Sequence, residues 1–430
     1  MYNNYSPVVS RCCTPTITSY SRSKMQTEIV AEYCAKHPES AKYFERANKV
    51  MPGGQTRSVT HFEPFPVILT HGKNGHVFDV DGHEYIDVVN NYTSLIHGHT
   101  FAPVVSAVNA LLEHGGVAFP AVHPHQMRLA EQLVARIHSA ELVRFTNSGS
   151  EASSLAARIA RHVTGRLEIV MAHEGYHGAV PPFSETTEPN VMRVPFNDPI
   201  ALEAAVSERT AAIILEPFQG AAGVIPASPG YLQHAQQLAE RYGALFILDE
   251  VQSLRNSYYG VQQDLGITPD LTILGKIIGG GYPIGAVVGK AEHLLQTSPY
   301  TAGHLVHSGT FNGHLTSCVA GAATLEYLDA QTIQCLNDRT GKLRAEILEA
   351  AADHGIHIRV SIAGSIMNVH PAEKTAHDAL YENLHLSLIL EGVYAAPRGM
   401  LNLSTALDQS HLNAIAQAYR CAFERIATAD

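Results

Sequence analysis

The sequence predicts an α/β chain in which a mainly parallel sheet, wrapped by helices on both faces, is followed by a smaller α+β domain. Three observations carry this expectation. Short apolar runs (LVRFTN, LEIVMAH, AAIILEPF, ALFILDEV, LTILG and GAVVGK) alternate with helical periodicity between Leu142 and Lys290, the signature of strand–helix–strand units. Several runs are apolar without alternation, as strands buried on both faces must be. Beyond about Gly321 the pattern changes to long helical segments and closes in an amphipathic helix from Ser410.

In chain order, residues 1–24 are rich in Ser, Thr and Tyr and carry no acid. They read as a disordered tail, with a transit peptide as the functional alternative. Residues 25–75 read as an N-terminal arm joining the small domain: a helical pattern from Gln26 to about Val50, then the MPGG turn and a β-rich stretch. HVFDVDGHEYIDV predicts a hairpin around Asp81 and Gly82. Residues 76–320 are expected to form the large domain and 321–430 the small one.

Composition narrows the function. The 29 Lys and Arg against 40 Asp and Glu give a formal charge of −11 with no basic block, which argues against a nucleic acid partner. No apolar run is long enough to span a bilayer, so no membrane role is expected. Six cysteines, at 12, 13, 34, 318, 335 and 421, show no paired spacing and fit a reduced, cytoplasmic setting. The 25 histidines include His97 with His99 and His123 with His125. Neither pair has the i, i+4 spacing and acidic partner of a zinc helix, so no metal is expected.

The chemistry centres on LTILGKIIGGGYPIGAVVGK, where Lys276 stands amid aliphatic residues and glycines. A lysine so placed either snorkels its amine to water or is paired, neutral or used covalently. Upstream, ALFILDEVQ reads as a buried strand ending in Asp249 and Glu250, where open α/β sheets bind ligands. A lysine that forms a Schiff base with an aldehyde, and an acid that keeps a ring nitrogen protonated, are what pyridoxal 5′-phosphate (PLP) requires. A third element is the strand LVRFTN leading into Ser148, Gly149 and Ser150 at the start of a helical segment. Hydroxyls and N–H groups there make an anion cradle. Ser148 and Glu151 also fit a capping box, and both roles can hold at once.

FTNSGSEAS, GYHG, EPFQG, LDEVQS, LGKIIGGGYPIGA and HSGTFNGH occur in this order. Together they resemble the successive motifs of class III (fold type I) PLP-dependent aminotransferases, from about Ser40 to the C-terminus. MPGGQTRSV and LGKIIGGG resemble the branch holding glutamate-1-semialdehyde 2,1-aminomutase and the β-amino acid aminotransferases, such as β-phenylalanine aminotransferase. The resemblance implies roles for matching residues. Lys276 would carry the cofactor and shuttle the proton, and Asp249 would pair with the pyridine nitrogen. Ser148, Gly149 and Ser150 would hold the phosphate, with Ser150 standing where most relatives have threonine. Tyr176 would stack on one ring face with His177 beside it, Val251 would pack on the other, and Gln252 would touch the ring hydroxyl. Thr310 would reach the phosphate of the neighbouring subunit, implying a homodimer with shared active sites. An ordinary turn at Tyr176 and His177, and a helix cap at Thr310, are the alternatives.

Arginines are the handle on substrate, because a guanidinium clamps a carboxylate bidentately. Arg57, in GGQTRSV, matches the carboxylate-binding position of the β-amino acid aminotransferases. Arg398, in YAAPRGM, resembles a second arginine that the aminomutases generally lack; a surface role is its alternative. The expected function is transfer of the amino group of a β-amino acid to a keto acid such as 2-oxoglutarate or pyruvate, by ping-pong kinetics. His61, Phe62 and Tyr92 are candidate pocket or core residues. The competing expectation is an isomerase like the 2,1-aminomutase.

Overall fold

The structure, a computed structural model, describes residues 24–184, 188–372 and 377–428. The tail expected over 1–24 therefore lies, Lys24 apart, outside the described residues. The helical pattern that follows forms two helices, α1 (Lys24–Lys36) and α2 (Pro38–Ala47). Pro38 makes the break, since a residue preceding proline is kept out of the helical region and His37 takes φ −122°, ψ 49°. Next come β1 (Leu69–Lys73), β2 (His76–Asp79) and β3 (Glu84–Asp87), paired antiparallel in sequence order. The hairpin turns at Asp81 and Gly82: the Asp79 carboxylate accepts the N–H groups of Asp81 and His83, and Gly82 supplies φ 90°. The fourth strand of this sheet, Val393–Tyr394, pairs with β3 in parallel. A boundary at residue 76 thus passes between two strands of one sheet.

The large sheet has seven strands: β4 (Leu142–Thr146), β5 (Glu168–Ala172), β6 (Val191–Val194), β7 (Thr210–Leu215), β8 (Leu245–Asp249), β9 (Leu271–Gly275) and β10 (Gly285–Gly289). Their order is β4-β10-β9-β8-β7-β5-β6. Only β10 runs against its neighbours, pairing antiparallel with both β9 and β4. Around it lie α3 (Ala102–His114), α4 (Pro124–Arg136), α5 (Gly149–Thr164), α6 (Pro199–Ala205) and α7 (Tyr231–Tyr242). Alternate strand residues face opposite layers. Ile169, Met171, Ile214, Ile247 and Ile273 pack with Leu155 and Ile159 of α5, whereas Val170, Ile213, Leu215, Phe246 and Leu248 pack with Leu202 of α6 and Leu232 and Leu238 of α7. All are essentially buried. At about 1.5–3 kcal/mol per buried large side chain, this double burial makes the strand ends a firm platform.

The chain then forms α8 (Leu315–Glu326), α9 (Ala330–Asp353), β11 (Ile358–Ala363), β12 (Ile366–Pro371), α10 (His377–Leu390), β13 (Val393–Tyr394), β14 (Met400–Asn402) and α11 (Gln409–Ala427). A three-stranded antiparallel sheet, β11-β12-β14, packs with α9 and α11 through Leu343, Ile347, Met367, Ile415 and Phe423. The boundary expected at residues 320–321 falls inside α8, which is buried from Leu315 through Leu325. Gly321 is the point of closest approach: a Cβ there would collide with the carbonyl oxygen of Ile278, two residues past Lys276. None of the described helices is long and apolar enough to cross a membrane.

Candidate active site

Five strands of the large sheet deliver their following residues to one edge. Beyond β4 stand Ser148 to Ser150, beyond β5 the Gly175–Gly178 loop, beyond β7 Glu216, at the end of β8 Asp249, and directly after β9 Lys276. In an open parallel sheet this carboxyl edge is where ligands bind. Lys276 opens a short helical turn, Lys276–Gly279, with φ 52°, a left-handed conformation unusual for a residue with a side chain. Burial holds its ammonium below the ordinary lysine range, Asp249 and Glu216 pull the other way, and the charge of Arg255 adds to the lowering. A lysine with a depressed pKa is available as a neutral nucleophile and base.

Asp249 is 5% exposed, and both its oxygens are fixed. Oδ2 lies 2.8 Å from His177 Nδ1, and Oδ1 accepts the Val251 N–H at 3.0 Å. Its neighbour Glu250 does different work. Its fully buried carboxylate accepts from Ser253 Oγ, the N–H groups of Val261 and Gln262, and Gln262 Nε2, which pins the following loop. The second acid at the site is Glu216, in the EPFQG segment. It accepts the N–H of Tyr176 at 3.1 Å and of Gly220 at 3.4 Å, and burial pushes its carboxyl up to about 7, with the Asp249 charge adding and His177 opposing. Sequence reasoning quoted this motif without giving the acid a role. The available signal was its place directly after a fully buried strand, one position on from where Asp249 ends its own.

Ser148 caps α5, its Oγ accepting the Glu151 N–H at 3.2 Å; Glu151 reaches back to the N–H of Asn147 and not to that of Ser148. Backbone crowds the cradle. A Cβ at Gly149 would meet Val251 Cγ2 at 3.0 Å, one at Gly275 would meet Val251 Cγ1 at 3.3 Å, and one at Gly178 (φ 104°) or Gly285 would collide with Ser150 or the Ser148 carbonyl oxygen. Ser150 Oγ accepts the Ala179 N–H at 3.4 Å, tying the cradle to the loop bearing Tyr176, whose ring is 55% exposed, and His177. Among the described residues the buried Nε2 of His177 finds no hydrogen-bond partner. A lysine with lowered pKa, an oriented carboxylate, a glycine-lined helix start and an orphaned imidazole nitrogen fit PLP. Gln252 lies against Gly220, with Nε2 3.8 Å from Met400 Sδ.

Arg57, Tyr92 and Arg398 come together at a second corner. Arg57 Nη1 donates to Asn91 Oδ1 at 2.9 Å, and the guanidinium lies 5.7 Å from the Tyr92 ring centre. Burial raises the Tyr92 hydroxyl pKa while Arg57 and Arg398 both act to lower it. Arg398, Phe62 and Tyr381 line a cavity of about 240 Å³ alongside. Phe62 also meets the His385 ring edge-on at 4.3 Å, so it serves pocket wall and core alike, whereas His61 faces Glu63 at 3.6 Å on the surface. Tyr92 sits in an unusual backbone: Asn90, Asn91, Tyr92 and Thr93 take φ 47°, 48°, 55° and 74°. Left-handed residues with side chains cost about 1–2 kcal/mol each. A buried network offsets this. Asp87 Oδ1 accepts the N–H groups of Val89 and Asn90, Asn90 Nδ2 donates to the Asn402 carbonyl at 2.9 Å, and Asn402 Nδ2 donates to the Val89 carbonyl at 2.7 Å.

Thr310 is exposed in a loop that joins its own chain's cradle through Asn147 Nδ2 to Asn312 Oδ1 at 3.2 Å. It does not cap α8, whose N-cap is His314. The histidine pairs weighed as metal ligands have other partners: His97 bonds Thr405 and Thr324, His99 bonds Asp87, and His123 caps α4. A trio not foreseen from sequence, His37, Asp79 and His83, brings donor atoms within 4.8 Å. Tyr33 O and Tyr85 Oη already take the two His37 nitrogens, so the trio fastens the N-terminal arm to the hairpin.

Comparison with known proteins shows the family and the fold. The model of the family described as aminotransferase class-III matches residues 58–409. The chain is 35% identical over 395 residues to β-phenylalanine transaminase of Variovorax paradoxus, covering 88% of this chain and 91% of the relative. It is 37% identical over 363 residues to glutamate-1-semialdehyde 2,1-aminomutase of Methanocaldococcus jannaschii, covering 79% and 84%. The crystal structure of a β-phenylalanine aminotransferase from Variovorax paradoxus superposes with a TM-score of 0.88 at 32% identity, covering 92% of this chain and 96% of the other.

Proposed function

Because the chain belongs to the class III aminotransferase family, and is a PLP-dependent aminotransferase of fold type I, we propose that its amino donor is a β-amino acid and its acceptor a keto acid such as 2-oxoglutarate or pyruvate. The observation that carries the reading is the pair of arginines: Arg57, held 5.7 Å from the Tyr92 ring centre, and Arg398, which lines the 240 Å³ cavity. In a β-amino acid the carboxylate lies one carbon farther from the reacting amine, so a clamp away from the lysine is the feature to look for. Arg57 would hold that carboxylate. Arg398, beside the 240 Å³ cavity, would serve the acceptor's second carboxylate or the donor side chain.

PLP, when bound, supplies the electron sink that makes a carbon-bound proton acidic. The chain's own residues do the rest. Lys276 would hold the cofactor and move the proton, its pKa lowered by burial. Asp249, oriented by His177 and by the Val251 N–H, would pair with the ring nitrogen. Ser148, Gly149 and Ser150 would take the phosphate. Val251 would pack on one ring face and Tyr176, beside His177, on the other, with Gln252 at the rim. Thr310 belongs in this reading to the partner's site in a cytoplasmic homodimer. The exposed Val306 (69%) and Phe311 (58%) on either side of it support a covered surface there.

The relation to the aminomutases favours a second reading, isomerisation of glutamate 1-semialdehyde. A panel of α-, β- and ω-amino donors against pyruvate and 2-oxoglutarate, read for cofactor bleaching and then for product, separates the two. The proposal predicts a keto product released from a β-amino donor only when a keto acid is added. Conversion of glutamate 1-semialdehyde alone would establish the isomerase instead.

A further inference from the structure

Arg57 is exposed on a loop, so packing does not fix the direction of its guanidinium. The fixed points come from the left-handed turn: Asn91 Oδ1, 2.9 Å from Nη1, and the Tyr92 ring. Each is itself held. Asn91 Nδ2 donates to Ser94 Oγ at 3.0 Å, which turns the amide oxygen toward Arg57. Tyr92 Oη donates to the Val59 carbonyl at 2.9 Å, two residues beyond Arg57. The sequence at the turn is Asn-Asn-Tyr-Thr. Asparagine tolerates the left-handed region, but tyrosine and β-branched threonine do not, and glycine would have built the same turn without strain. Such outliers persist where surroundings over-determine them, commonly at ligand clamps.

The surroundings here run back to the cofactor edge. Asn402, which holds the Val89 carbonyl, accepts from Arg255 Nη1 at 2.8 Å, and Arg255 follows Asp249 by one short turn. Buried hydrogen bonds therefore tie the left-handed turn to the short helical segment that follows the Asp249 strand.

We propose that the left-handed turn Asn90–Thr93 is a specificity element and that Asn91 is a positioning residue, aiming the Arg57 guanidinium and so setting how far from the reacting amine a carboxylate is held. This rests on the reading of Arg57 as the donor clamp. Asn91 takes one of the five guanidinium N–H donors, and a bidentate carboxylate needs two.

The test uses holoenzyme with Asn91→Gly and, in parallel, Arg57→Ala, assayed with β-phenylalanine and α-phenylalanine as donors and followed by thermal melting. Glycine takes the turn's φ freely, so Asn91→Gly melts at or above the parent temperature. It raises KM for β-phenylalanine about ten-fold with kcat within about two-fold, and lowers the β-over-α preference in kcat/KM by a similar factor. Unchanged KM and preference in Asn91→Gly, with KM raised in Arg57→Ala, would leave the clamp standing and overturn the positioning role. Equal losses for both donors would likewise reduce the turn to scaffolding. An unchanged KM in Arg57→Ala would overturn the clamp itself and this inference with it.

Discussion

Glu216 offers a perturbation whose size follows from the structure. Its carboxyl is 8% exposed and titrates near 7 in the folded chain, against a reference of 4.5. Between these values the folded state binds a proton that the unfolded chain has released, so stability falls as pH rises through the window and levels off above it. The 2.5-unit difference (7 − 4.5) corresponds to roughly 3 kcal/mol at about 1.4 kcal/mol per unit. Glu216→Gln keeps the shape and an acceptor for the Tyr176 N–H but cannot ionise. In cofactor-free protein the variant should therefore gain on the parent by about 3 kcal/mol between pH 4.5 and pH 8. With an unfolding entropy of about 2 cal/mol/K per residue, a 430-residue chain melting as one unit turns that into a change of about 3 °C in the gap between the two melting temperatures. Differential scanning calorimetry of both proteins across this range measures the gap. A gap that stays constant with pH, or moves toward the parent, would refute the assignment of a proton to Glu216.

Two other substitutions, with one control, probe the platform. Gly285→Ala drives a Cβ into the Ser148 carbonyl oxygen and Thr146 Oγ1, an overpacking worth about 1–3 kcal/mol, and should weaken PLP binding about ten-fold or more by equilibrium dialysis. Gly341→Ala, in α9 with open space around the new methyl, is its control and should stabilise the fold by about 1 kcal/mol in thermal melts. Arg255 is fully buried and donates to Ser365 Oγ, Asn402 Oδ1 and the Leu403 carbonyl. Arg255→Gln should destabilise the chain by about 3 kcal/mol through unpaired acceptors. It also removes a charge that lowers the Lys276 pKa, so acylation of Lys276 in cofactor-free protein, followed by peptide mass spectrometry, should shift to higher pH.

What the sequence revealed follows from where burial leaves a mark. The strands of the large sheet from β7 to β10 are buried throughout and read as unbroken apolar runs. The edge strand β6, VMRV, was missed, being short, half-exposed and interrupted by Arg193. Lys276 and Asp249 were legible because each stands at the end of such a run and breaks its chemistry, and Ser148 because a Ser-Gly-Ser turn there opens a helical segment. Glu216 follows one too, but its carboxyl is raised chiefly by burial, which only the folded chain creates, with the Asp249 charge adding to it. The Asn90–Thr93 turn left no trace, since it contains no glycine and is held by Asn402, more than 300 residues distant. Two features span the domain edges expected near residues 76 and 321: β3 pairs with Val393–Tyr394, and α8 passes through residue 321 unbroken.

Borohydride reduction of the PLP-loaded enzyme, followed by peptide mapping, tests most directly whether the carboxyl edge of the large sheet is the catalytic centre. The predicted result is one phosphopyridoxyl label, on Lys276, lost in Lys276→Ala together with turnover. A label on another lysine, or transamination surviving in Lys276→Ala, would contradict the placement of the chemistry at the end of β9.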